Sequence, residues 1–484
     1  MSGPTISRRR FIAASAATSS AMIVPRFVLG RGHVAPSDRL RIAAIGAGGK
    51  GESDIASFHA SGKADIAYLC DVDDRQSARA VAAFPKAKYY RDWRRLFDAE
   101  AGRFDAVSVS TPDHTHAPIA LAALQLGKHL YLQKPMAHNI REVRLLVAAA
   151  ERYRVVAQMG NQGASADGTR LLREWYDAGL IGDVHTVYSW TNKTVSPQGF
   201  GWPTQAAPVP PELDWDLWLG PAPWRDYVDK IVPFNWRGYF DFGSGAIGDM
   251  GCHLAEAPLR VLNLAPPIEV QSSSTVLYTD KLARIYAPES VPASCYIVWK
   301  FAKTDKTAGP VEYHWMDGGL RFPRPEEVGS NERFGNGNGT LFIGTKGKMM
   351  VDSHGGNATL LPYSRMQEIE VKPVLARVPG GSEGHYAQWI EACLAGYGQR
   401  ELSSPFEIGG PLSEMLLLGA LSLRAGELRH PRPADAPFLP GSDGFDYPGR
   451  TRLLWDSASM KITNLDEANQ FVGRTYRKGW ELKS

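Results

Sequence analysis

Cysteine is scarce: the 484-residue chain holds four, Cys70, Cys252, Cys295 and Cys393. None forms a C-x-x-C pair and each lies in an apolar or helical stretch. They read as buried free thiols, not as a disulfide framework or zinc ligands. Charge of one sign is lacking too. Lys and Arg number 54 against 51 Asp and Glu, a net charge of +3 with no basic stripe, so no nucleic-acid partner is expected. No apolar run reaches the about 20 residues of a membrane span. There is no internal repeat and no heptad run. What remains is ordinary for a soluble protein, 44% hydrophobic and 22% charged. The length exceeds one core and suggests two domains plus a tail. Tryptophan, at 13 residues, is the exception. Indoles are mostly core, but a cluster of them near polar groups also suits a sugar face.

The first residues do not read as fold. Ser7-Arg8-Arg9-Arg10-Phe11-Ile12 precedes a short, weakly apolar run from Ala13 to Met22. A charged start before a short apolar stretch is the pattern of an export signal. Paired arginines followed by Phe match the twin-arginine type, which carries proteins out already folded. Residues 1–37 are therefore set apart as signal and N-terminal arm. The expected location is periplasmic or secreted, with the twin-arginine export machinery as a partner. A protein that carries a cytoplasmic cofactor by that route would need to hold it tightly.

Leu40-Arg41-Ile42-Ala43-Ala44-Ile45 suits a buried parallel strand, and Gly46-Ala47-Gly48-Gly49-Lys50-Gly51 follows at once. Helix-compatible spacing runs from Ser53 to Ser61. A glycine loop between a strand and a helix permits a tight turn and close approach to a pyrophosphate, with free helix N–H groups facing the anion. A second strand, Ala64 to Cys70, ends at Asp71, 20 residues after Gly51. A carboxylate there accepts ribose hydroxyls and repels a 2′-phosphate, which favours NAD over NADP. The plain alternative is an acidic turn residue. Two further strand–helix units carry Thr111-Pro112-Asp113-His114-Thr115-His116 and Gln133-Lys134-Pro135 at strand ends, where doubly wound sheets bind ligands. His114 and His116 are two residues apart, do not share a helix face and lack a further acidic partner, so no metal site is expected.

These motifs together resemble the glucose–fructose oxidoreductase, inositol dehydrogenase and MocA (Gfo/Idh/MocA) family. The resemblance rests on the glycine loop, Thr111-Pro112 with His116, and Lys134-Pro135 after a strand. It extends to Trp236-Arg237, Gly245 and Asp249-Met250-Gly251-Cys252-His253. Gln158-Met159-Gly160-Asn161-Gln162 and Leu213 to Pro221 are similar to exported bacterial members. One departure stands out: Gln133 replaces the family's usual Glu. The resemblance implies an α/β protein with an N-terminal doubly wound Rossmann domain over 38–158. A C-terminal α/β domain over 159–440 should carry an open, mostly antiparallel sheet, with a tail over 441–484 packing on the core or a neighbour. It also implies a homodimer or homotetramer. NAD would lie on Gly46, Gly48, Gly49, Gly51, Asp71, Thr111, Pro112, His116, Gln133, Lys134 and Asn161.

Oxidising an alcohol by hydride transfer needs a base for the hydroxyl proton and a group that steadies the oxygen. Gly245 to Leu262 reads as a helix, with a break or kink expected at Pro258. Asp249 and His253 are four apart and share a face. By spacing alone they read first as a common helix-surface pair. With the resemblance they become a catalytic set with Lys134, in which His253 is the base, Asp249 orients it and Lys134 contacts the same hydroxyl. Gln162, Asn192, Trp202, Trp236 and Arg237, and Asn161 as well, are candidates for holding substrate hydroxyls beside His253. The expected activity is an NAD-dependent oxidoreductase acting on CH–OH groups of a sugar, sugar alcohol or glycoside. The alternatives are a glycoside-cleaving cycle that returns the hydride and a non-catalytic, dinucleotide-bound sugar sensor.

Overall fold

The computed structural model describes residues 38–482, apart from 195, 282, 336, 434 and 438–442. The expected signal at 1–37 lies outside the described residues. Six parallel strands form the first sheet: β1 (Leu40–Ile45), β2 (Ala64–Cys70), β3 (Lys88–Tyr90), β4 (Ala106–Val109), β5 (His129–Gln133) and β6 (Ala157–Gly160). Their order, β3-β2-β1-β4-β5-β6, reverses between β1 and β4. That reversal opens a crevice at the carboxyl ends of the two strands. Five helices accompany them: α1 (Lys50–Ala60), α2 (Asp74–Ala83), α3 (Trp93–Glu100), α4 (Asp113–Gln125) and α5 (Ile140–Tyr153). β4 is buried along its whole length, as a strand covered on both faces must be.

After α6 (Asp167–Asp177) a nine-stranded sheet begins with β7 (Val184–Thr191), followed by α7 (Trp215–Leu219) and α8 (Gly245–Val261). It continues with β8 (Glu269–Ser274) and, past the small ribbon β9 (Tyr278–Asp280) and β10 (Ala283–Arg284), with β11 (Cys295–Phe301) and β12 (Val311–Met316). β13 (Asn338–Gly344), β14 (Gly347–Val351) and β15 (Thr359–Leu361) extend one edge. Helices α9 (Gly381–Ala395) and α10 (Phe406–Ala425) and a second ribbon, β16 (His430–Pro431) with β17 (Phe445–Asp446), precede β18 (Leu453–Asp456) and β19 (Lys461–Ile462) on the other edge. The order is β15-β14-β13-β7-β12-β11-β8-β18-β19. Only β12 and β7 pair in parallel. The sheet is thus mostly antiparallel, as expected.

The two halves share a core. α10 packs against α5 of the first half and against α8 and β8 of the second. It is long and apolar enough to cross a membrane, but 83% of its apolar window is buried inside the protein. α9 crosses over to cover α1, where Trp389 meets the rings of Phe58 and Tyr131 at 5.2 and 5.4 Å. All four cysteines are free and buried.

Pro258 does not break α8, which runs on to Val261. A proline lacks the N–H that would bond the carbonyl four residues back. Here that carbonyl, Leu254 O, accepts the Thr340 hydroxyl at 2.8 Å instead. Pro118 inside α4 is compensated the same way. His114 O accepts from Arg474 Nη2 at 2.6 Å, an arginine of the C-terminal tail. Arg474 is anchored by buried Glu142, 2.7 Å away, which also accepts from the Tyr476 hydroxyl at 2.8 Å. The tail therefore packs on its own chain's first domain.

Candidate functional site

A cavity of about 490 Å³ lies along the crevice. At one end it is lined by Gly46, Gly48, Gly49 and Asp71, at the other by Lys134, Asp249 and His253. Thr111, Pro112, Gln133, Gln162, Trp236 and Arg237 also line it, as their sequence contexts suggested.

The glycine loop is shaped by what side chains would hit. A Cβ on Gly46 would lie 2.5 Å from Ser110 O, and one on Gly51 1.9 Å from Gly46 O. Gly51, expected among the cofactor contacts, is corrected to a packing residue: it is buried behind the loop in the first turn of α1 and does not line the cavity. Gly49 has φ +53° and open space where its Cβ would be, so the loop presents bare backbone to the cavity. Asp71 braces this loop. One carboxylate oxygen accepts the N–H groups of Ala47 and Gly48 at 2.8 and 3.1 Å, and the other accepts Asp73 N–H at 3.0 Å. Burial pushes its pKa up to about 6, although those three N–H groups pull it down. A glycine cradle beside a cavity-facing carboxylate fits a dinucleotide's pyrophosphate and ribose.

Gln133 is explained by its neighbour. Its amide donates to Asp54 at 2.7 Å, and Asp54 is fully buried. Asp54 also accepts the Ser110 and Tyr386 hydroxyls, each at 2.8 Å, and pairs with Lys50. A Glu at 133 would put a second carboxylate against Asp54, so the negative charge at this point comes from α1.

At the far end Lys134 Nζ donates to Asp249 O at 2.6 Å and to its carboxylate at 3.1 Å. Arg237 approaches the same carboxylate at 3.6 Å while lying 4.2 Å from the Trp236 ring. Burial pushes the Asp249 carboxyl up, but Lys134 and Arg237 outweigh it and hold it below its ordinary value. The expectation that Asp249 orients His253 is therefore corrected. The two share a helix face, yet Asp249 is taken by the two cations. His253 Nδ1 donates instead to Asn161 Oδ1 at 3.0 Å, and its ring stacks on His354 at 3.9 Å. Burial, then Lys134 and His354, lowers the His253 pKa well below its ordinary value.

Four other expectations need correction. Asn161 is fully buried behind His253 and does not line the cavity, so it is not a cofactor contact. His116 is buried with its two ring nitrogens 2.8 Å from Thr111 O and 2.9 Å from Pro135 O, and since burial keeps the ring neutral its single N–H donates to one of these two carbonyls. It fixes two cavity-lining strand ends without facing the cavity. Asn192 is exposed and accepts from Arg321 at 2.9 Å. Trp202 does not line the cavity but packs edge-on to Tyr239, 4.7 Å away, in the aromatic cluster behind Trp218 and Trp236.

Sequence reasoning missed Asp113, Lys193, His354 and Trp480, all of which line the cavity. Asp113 begins α4, and burial lifts its pKa to about 7 despite nearby Arg237 and Lys134. Its signal was its place directly after Thr111-Pro112 at a strand's carboxyl end. His354 lies just past β14 at φ +65°, with no motif to mark it. Among the described residues no group of three His, Cys, Asp or Glu side chains could hold a metal.

Residues 40–161 match the family model for oxidoreductases with an NAD-binding Rossmann fold, and residues 180–281 that for the family's C-terminal alpha/beta domain. Levoglucosan dehydrogenase of Pseudarthrobacter phenanthrenivorans is 23% identical over 189 residues, 39% of this chain and 40% of that protein. Glycosyl hydrolase family 109 protein 1 of Shewanella sp. (strain ANA-3) is 29% identical over 174 residues, 30% of this chain and 37% of that protein. The chain thus spans about two-fifths of the length of these relatives. A solved levoglucosan dehydrogenase, in complex with NADH and levoglucosan, shares the fold with a TM-score of 0.53 at 15% identity, over 81% of this chain and 98% of that one. With its first domain and the start of its second matched, the chain belongs to the Gfo/Idh/MocA oxidoreductase family.

Proposed function

We propose that this protein is an NAD-dependent oxidoreductase that acts on a CH–OH group of a sugar, sugar alcohol or glycoside. One observation carries the reading: the glycine cradle with Asp71 and the Lys134–Asp249–His253 group line a single cavity. When bound, NAD supplies the hydride acceptor. The glycine loop and the start of α1 would hold its pyrophosphate, and Asp71 its ribose hydroxyls. Lys134, fixed by Asp249, steadies the hydroxyl oxygen as negative charge develops. His253, kept neutral by burial, takes the hydroxyl proton. Trp236 and Arg237 offer an apolar face and donors to the remaining hydroxyls.

A second reading, glycoside cleavage by transient oxidation, elimination and return of the hydride, is favoured by Asp113. A carboxyl titrating at about 7 in the same cavity adds a second acid–base group. Similarity to glycosyl hydrolase family 109 proteins supports it. The Arg8-Arg9-Arg10-Phe11 start supports folded export to the periplasm, with the cofactor retained. Assembly as a homodimer or homotetramer is part of the same proposal.

The test is to purify the protein and follow the reduced-nicotinamide absorbance against a panel of sugars and glycosides. Absorbance should rise with a matching sugar and stay flat in Lys134→Met and His253→Ala. Released aglycone, with no net change in the nicotinamide, marks the cleaving cycle. Silence toward every sugar, together with unchanged sugar affinity in His253→Ala, refutes the enzyme reading.

A further inference from the structure

We propose that Asn161 is a positioning residue that fixes the tautomer of His253, with the Arg260–Glu256 ion pair fixing Asn161 in turn. This deepens the proposed function and rests on it for the role of His253 as base. The chain of contacts starts at the ion pair. Glu256 accepts from Arg260 at 2.5 Å, which marks it as an ionised acceptor. Asn161 Nδ2 lies 3.1 Å from that carboxylate and 3.2 Å from Cys252 O. Neither partner can donate, so the amide nitrogen must face them and the amide oxygen must face His253. An amide oxygen only accepts, so His253 Nδ1 carries the proton. Nε2 is then left with its lone pair, on a ring that lines the cavity.

An imidazole without this partner divides its proton between both nitrogens, and a proton on Nε2 removes the base. A carboxylate as partner would have done the same orienting and also raised the ring's proton affinity. A neutral amide orients without that rise. The charged and titratable groups facing His253 are Lys134, His354, Lys193 and Lys50, with Asp249 on its own helix. Burial first, then the cations and His354, hold the ring neutral, and the amide leaves that balance alone.

The experiment reads two quantities in the full-length protein. The first is the pKa of His253, from the pH dependence of C2–H deuterium exchange followed by mass spectrometry, which needs no substrate. The second is the pH profile of kcat with the most active sugar. Asn161→Asp, made throughout in a Glu256→Gln background so that no second carboxylate faces the new one, should raise the His253 midpoint and the acid limb of kcat together by more than one pH unit. Asn161→Leu should lower kcat about 100-fold, the scale of lost acid–base catalysis, with KM and NAD affinity within about twofold. An unmoved midpoint in Asn161→Asp, or unchanged kcat in Asn161→Leu, overturns the proposal. If Asn161→Leu fails to fold, the direction of shift in Asn161→Asp decides alone. If no sugar is oxidised but the midpoint moves as stated, the tautomer assignment stands and only the proposed activity falls.

Discussion

Replacing Asp113 with Asn should stabilise the protein, and only above a definite pH. The carboxyl is 8% exposed, lies in the cavity and is lifted to about 7 by burial. In the unfolded chain it titrates at about 3.9. Between those values the folded state holds a proton that the unfolded state has released. Stability therefore falls as pH rises, by about 1.4 kcal/mol per pH unit. Over the window from about 4 to about 7 the loss amounts to about 4 kcal/mol, and it persists at higher pH. An asparagine side chain has the same shape, no charge to desolvate and an oxygen that can still accept a hydrogen bond. Urea unfolding of ligand-free wild type and Asp113→Asn should give equal stabilities near pH 4. The variant should gain steadily to about 4 kcal/mol at pH 7.5 and level off there. A gap that does not change with pH, or a variant less stable than wild type at pH 8, would refute the argument that burial governs this carboxyl.

Four further outcomes are expected. Gly51→Ala places a Cβ 1.9 Å from Gly46 O, so the loop must rearrange, and titration calorimetry should detect no NAD binding. NAD affinity should fall as pH drops through about 6, where Asp71 takes up a proton and accepts ribose hydroxyls more weakly, while Asp71→Asn should bind weakly with no such pH dependence. Trp389→Ala empties a fully buried site between α9 and α1 and should cost about 3–5 kcal/mol in urea unfolding. Trp480→Ala removes a cavity wall held by the Arg94 guanidinium 4.3 Å from its ring. It should speed NAD release at least tenfold in stopped-flow displacement, with the fold unchanged by circular dichroism.

The parts legible in the sequence were those written in adjacent residues. Strand, glycine loop and helix follow one another within Leu40–Ala60, and each glycine has a local steric reason. Partner choice was not legible. The i, i+4 rule put Asp249 and His253 on one face, but Lys134, 115 residues away, took the first and Asn161, 92 residues away, took the second. Motifs named His116 and Asn161 without saying which way they point, and burial turned both into supports behind the cavity wall. Pro258 looked like a break because its compensating donor, Thr340, comes from a distant strand. His354 and Trp480 reach the cavity from segments that carry no motif of their own.

The C-terminal tail gives the site an order of manufacture. Its glycine loop leaves the ribosome early, yet Arg474, which satisfies the carbonyl exposed by Pro118, and Trp480, which walls the cavity, are among the last residues added. At about 5–20 residues per second the interval is on the order of 20–90 s. Throughout it the nascent cleft lacks a wall and α4 keeps an unanswered carbonyl. A dinucleotide that arrives during synthesis meets the glycine loop without Trp480, and one that arrives afterwards meets the walled cavity. A chain cut short before residue 474 has the whole glycine motif and neither the Arg474 contact nor the Trp480 wall.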